Sequence, residues 1–111
     1  SELKYRSGMI KFIELLPKTG DSVKLLLEAD GTSIIVKVSQ TLLSTWQIDE
    51  EQLIAFAKLR AELEFAKDNQ TSEISVLTYD YEGANGHTLS YSEAMQKIND
   101  ELATINEKLQ S

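Results

Sequence analysis

Residues 23–38 read VKLLLEADGTSIIVKV, and their reading decides the fold. Asp30-Gly31 is a two-residue hairpin signal, because glycine takes the positive φ that a turn matching the twist of the flanking strands requires. With that dipeptide as the loop, the register pairs Leu27 with Ile34, Leu25 with Val36 and Val23 with Val38. All six side chains then share one face, so turn chemistry and apolar alternation agree. The other face sets Leu26 opposite Ile35 and Lys24 opposite Lys37. Directly opposed lysines repel, and Glu14 on a preceding strand is the expected neutraliser. The apolar Leu26 and Ile35 pair suggests that part of this second face is covered as well.

Working outward, Met9 to Leu16 is expected as the first strand, followed by a turn at Pro17, Gly20 and Asp21. Beyond the hairpin, Ser39 is placed to start a short helix through Leu42, Leu43 and Trp46. Asp49 precedes a longer helix, with Glu50 and Glu51 in a first turn where free amides favour negative charge. Leu53, Phe56, Ala57, Arg60 and Leu63 recur at helical spacing, and this helix is expected to end near Asp68-Asn69. A fourth strand is read at Glu73 to Tyr81, and apolar residues on both of its sides predict a central or doubly covered position. The loop 82–87, EGANGH, leads to Ser90 and Glu93, the spacing of a capping box.

Tyr91, Met95, Ile98, Leu102, Ile105 and Leu109 then follow at alternating four- and three-residue steps. Such a stripe lies along one side of a helix and must be buried, against either this chain or a second copy. The expected architecture is one α+β domain over residues 1–111. Its antiparallel sheet of about four strands, in the order β-β-β-α-α-β-α, is packed by a central helix and a C-terminal helix.

Composition narrows the function classes. The 111 residues are 41% hydrophobic and 26% charged, an ordinary globular balance. The net charge of -7 argues against DNA, RNA or an anionic membrane as a partner of the whole surface. Lys4, Arg6, Lys11, Lys24 and Lys37 are the best candidates for a local basic patch, and a solvated sheet face is the simpler reading of them. No run approaches the roughly 20 apolar residues that span a bilayer. The lack of cysteine removes disulfides and thiolate chemistry and suits a reducing compartment, so a cytoplasmic location is expected.

Catalytic signatures are sparse. His87 is the sole histidine; with Asp80, Glu82 and Asn85 it offers the one conceivable centre for a small metal-dependent enzyme. These residue types are equally what an exposed turn selects. No nucleophile elbow, phosphate-binding glycine pattern or cofactor signature is present. The expectation is therefore a small non-catalytic cytoplasmic interaction or regulatory protein, with no metal or cofactor, acting by binding a protein partner or by self-association as a homodimer. Leu26, Ile35, Trp46, Tyr79, Met95, Ile98 and Leu102 are its candidate partner-binding residues. One alternative is an acidic mimic of nucleic acid that inhibits a DNA- or RNA-binding protein; the other is the enzyme of the Asp80–His87 loop.

Overall fold

The computed structural model describes residues 10–69 and 71–110. The expected order holds: β1 (Ile10–Leu15), β2 (Ser22–Ala29), β3 (Thr32–Ser39), α1 (Gln40–Trp46), α2 (Glu50–Ala66), β4 (Glu73–Val76) and α3 (Tyr91–Gln110). Met9, read as the start of the first strand, lies outside the described residues, as do Lys4 and Arg6. The four strands form one sheet in the spatial order β1-β2-β3-β4.

At its centre is the hairpin of β2 and β3. Asp30 and Gly31 both have positive φ, 50° and 81°, as a type I′ turn demands. Leu27 faces Ile34, Leu25 faces Val36 and Val23 faces Val38, the register that the turn and the alternation imply. Leu25, Leu27, Ile34, Val36 and Val38 are fully buried. Lys24 does stand opposite Lys37. The relieving carboxylate is Glu73 on β4, whose Oε1 is 2.9 Å from Lys37 Nζ. Glu14 instead pairs with Leu26, because a bulge between Phe12 and Glu14 shifts β1 along β2.

β2 runs antiparallel to both β1 and β3, and β4 joins β3 in parallel, so the sheet is mixed. The crossover through α1 and α2 returns the chain to the end of the sheet at which β3 began, so β4 must run the same way as β3. This corrects the reading of 73–81 as a central or doubly covered strand. β4 is a four-residue edge strand with Ile74 and Val76 buried and Glu73 and Ser75 exposed. It stops at Val76 because the Asp80 side chain accepts a hydrogen bond from the Leu77 N–H at 2.8 Å, closing a 3-10 turn over Thr78–Tyr81.

The free edge of β4 is largely occupied by its own neighbours. Ile35 N–H donates to Ser72 O, so the backbone groups of residues 72, 74 and 76 point at β3 and those of 73, 75 and 77 point outward. Thr71 Oγ1 takes both outward groups of Glu73, accepting from its N–H at 3.2 Å and donating to its carbonyl at 2.8 Å. Asp80 takes the N–H of Leu77.

The helices cover one face of the sheet. Asp49 caps α2 through a capping box: Gln52 N–H donates to Asp49 Oδ1 at 2.8 Å, and Asp49 N–H donates to Gln52 Oε1 at 3.1 Å. Ser39 precedes α1, yet its side chain makes no capping bond. Leu53, Phe56, Ala57, Ala61, Leu63 and Ala66 of α2 are buried. They face two ways, because α2 meets three strands as well as α3. On α3, Ala94, Ile98 and Leu102 are buried, with Tyr91, Met95 and Ile105 packed beside them. From Tyr91 to Ile105 the apolar stripe of α3 is thus satisfied within the chain. Sheet and helices form two layers, matching a smallest dimension of 20 Å.

Candidate functional site

Three regions compete for a functional role, and the seven candidate binding residues divide among them. Trp46, Ile98 and Leu102 belong to the chain's own core, at 8%, 0% and 6% exposure. That placement corrects their reading as docking residues, since the folded monomer presents none of them to a partner. Trp46 is the hub of an aromatic cluster, edge-on to Phe56 at 4.9 Å, Tyr91 at 5.7 Å and Tyr81 at 5.8 Å. Its indole N–H donates to Leu89 O at 2.8 Å, tying α1 to the segment that enters α3. Met95 is half-buried beside the same core. Tyr79, on the 3-10 turn, is 68% exposed. Leu26 and Ile35 are half-buried and face each other on the side of the sheet away from the helices.

That open face is the first region. Because cross-strand partners share a face, Lys11, Glu28 and Ser33 form one row and Lys24, Lys37 and Ser75 another. Between them runs Glu14–Leu26–Ile35–Glu73, crossing all four strands. The bulge adds Ile13 at the β1 end of this row, 48% exposed. Leu77, 39% exposed, follows β4 in the same alternation. No described helix or strand packs over these residues. The apolar row is flanked by lysines and glutamates, an arrangement suited to a protein surface.

The second region is a shallow groove beside α3. One part, 440 Å³, is lined by Leu89, Glu93, Gln96, Lys97, Asp100 and Glu101; the next, 360 Å³, by Lys67, Asp100, Glu101, Thr104 and Ile105. Its cations are already engaged. Lys97 Nζ donates to Asp80 O at 3.0 Å and lies 5.4 Å from the centre of the Tyr81 ring, while Lys67 is 3.8 Å from Glu101. Tyr81 is buried, and Arg60 Nη1 donates to its hydroxyl at 3.0 Å. Burial pushes the Tyr81 phenol above its usual range, and the Arg60 guanidinium offsets part of that rise. The phenol is therefore a neutral structural post, with Arg60 and Lys97 gathered around it. At the start of α3, Ser90 and Glu93 form the expected capping box, and the Ser90 bonds hold the Glu93 carboxyl below its usual value.

The third region is the Asp80–His87 loop. It is shaped by its own backbone: Gly83 N–H donates to His87 O at 2.6 Å, Gly86 N–H to Gly83 O at 3.1 Å, and Leu89 N–H to Tyr81 O at 2.7 Å. The carboxylate of Asp80 is occupied at Leu77. His87 and Glu82 are exposed. Among the described residues no group of three histidine, cysteine or acidic side chains is placed to hold a metal ion. The loop brings the candidate residues near one another in sequence without assembling them into a centre.

Among the described residues no helix is long and apolar enough to cross a membrane. Comparisons with protein-family models, with curated proteins and with solved structures find no match for this chain, so its chemistry has to be read from its own surfaces.

Proposed function

We propose that this chain is a small non-catalytic interaction or regulatory domain that binds a protein partner in the cytoplasm through the open face of its sheet. The observation that supports this reading is the row Ile13, Leu26, Ile35, which lies across strands whose opposite face already supplies a complete core. Isolated exposed apolar side chains are normal on any protein. A row continued across neighbouring strands and bordered by lysines and glutamates is a surface of another kind.

Site-specific photo-crosslinking tests it. A photoreactive side chain in place of Leu26, introduced into the full chain in cells, should yield discrete protein adducts, and the same probe in place of Ser92 on α3 should not. Equal labelling from both positions removes the open face from consideration.

A second reading draws on the distribution of charge. Residues 10–39 hold four lysines and four carboxylates, whereas residues 40–111 hold five cations against thirteen carboxylates. An acidic mimic of nucleic acid would use this helical layer. Its mark is capture of a DNA- or RNA-binding protein that weakens steeply with added salt; capture indifferent to salt rules it out.

A further inference from the structure

We infer that the occupant of the open face is a second copy of this chain, docked sheet to sheet; the inference rests on the interaction reading above and names its partner. Charge is the first argument. The face carries Lys11, Lys24 and Lys37 together with Glu14, Glu28 and Glu73, so it is balanced and can complement itself. Apart from Glu73, residues 40–111 hold twelve carboxylates against five cations, and the helical layer they build repels its own image. Face-to-face docking puts the two helical layers on the outside, with two sheets about 10 Å apart between them, farther than the screening length of about 8 Å at physiological salt. Docking α3 against α3 presses the acidic layers together.

Geometry is the second argument. Strands of six, eight, eight and four residues, rising about 3.3 Å per residue and spaced about 4.8 Å apart, give a footprint of about 410 Å² per copy, or about 820 Å² for a pair. That lies below the roughly 1,000 Å² of a standard specific interface and describes a weak, readily reversible dimer. Lateral growth competes poorly, because Thr71 and Asp80 already occupy the outward backbone groups of Glu73 and the N–H of Leu77 on β4, and β1 carries a bulge. The faces remain. Ile13, Leu26 and Ile35 of one copy would then interdigitate with those of the other, as side chains do between packed sheets.

Sedimentation equilibrium on the full chain, from low to high micromolar concentration, reads this out. The mass should climb from 12.5 kDa toward twice that value. The dimer fraction should depend only weakly on added salt, because the charges of the docked faces balance and the acidic layers lie farther apart than the screening length. Leu26→Lys and the milder edge variant Ile13→Lys should each return a monomer with an unchanged circular dichroism spectrum. Tyr79→Lys, on the exposed 3-10 turn, should leave the association intact. A mass that stays at 12.5 kDa throughout overturns the second-copy proposal, and crosslinking of a different protein from position 26 would then leave the interaction reading standing. A dimer that survives both lysine variants forms through another surface and overturns the second-copy proposal, while crosslinking from position 26 continues to decide the interaction reading. A monomer in which a probe at position 26 is shielded only while residues 1–9 are present assigns the face to the chain's own N-terminal segment, which also overturns the proposal.

Discussion

The two faces of the sheet are made from the same strands and nearly the same residue types, yet they do different work. Leu25 and Leu27 on β2 are fully buried under the helices, while Leu26 between them is half-buried on the open side. Ile34 and Ile35 divide in the same way. The difference arises from the period-two geometry of a strand, which sends adjacent side chains to opposite environments whatever their chemistry. Hydrophobicity at a single position is therefore a poor guide to its role here; parity along the strand is the useful quantity.

The sharpest way to break this comparison is to truncate adjacent leucines. Leu27→Ala should cost about 2–5 kcal/mol in chemical denaturation, because it leaves a cavity in a closed core. Leu26→Ala, measured at a concentration where the chain is monomeric, should cost no more than about 1 kcal/mol. Similar losses from both would mean that the open face is as covered as the other. Next in size is Gly31→Val, which forces a β-branched residue to a φ of 81° and should cost about 1–2 kcal/mol. Because this turn sets which residues reach which face, amide exchange across β2 and β3 should also rise in that variant; unaltered exchange would show that packing alone holds the register.

Alkaline pH separates the two sides of the molecule. Burial raises the Tyr81 phenol above 10.0, so the unfolded chain releases this proton more readily than the folded one. Stability from this group is intact below about pH 10 and is lost as pH climbs through the raised folded value. Tyr91, also raised by burial, acts in the same direction. Thermal melts from pH 8 to 12 should show that fall, and Tyr81→Phe should flatten it; an equal fall in the variant would place its origin elsewhere. The smallest expected effect is on the open face. Glu73→Gln removes the partner of Lys37 from a pair whose side chains are 30% and 51% exposed, and should change stability by less than about 1 kcal/mol. A larger loss would reveal an unrelieved clash between Lys24 and Lys37.

The hairpin was legible in the sequence because two independent signals, the Asp30-Gly31 turn and the apolar alternation, point to the same register. The starts of α2 and α3 were legible for a similar reason, since Asp49 and Ser90 carry the cap chemistry that an exposed helix start requires. The stripe on α3 was readable as a stripe, but its cover was not. Ala61, Ala66 and Ala94 are buried between the elements as well, and alanines carry little weight beside large apolar residues when a sequence is read. The residues after Val76 misled for another reason. Leu77, Tyr79 and Tyr81 alternate like a strand, and the one side chain of Asp80, reaching back three residues, outweighs that pattern. Strand order is absent from local composition altogether: nothing in Glu73–Val76 marks it as an edge running parallel to β3. Of the candidate site, parity exposed Leu26 and Ile35, whereas the core role of Trp46 follows from a bond to Leu89, 43 positions away.

The small hydrogen bonds at Thr71 and Asp80 bear on how crowded this chain can safely become. A bare edge strand lets each added molecule template the next, and the product is an insoluble fibril of unlimited length. By using up most of its outward-facing groups locally, β4 turns a growing end into a dead end, so a concentrated solution of this chain should stay clear and filterable where a Thr71→Val, Asp80→Ala double variant turns cloudy and binds amyloid dyes.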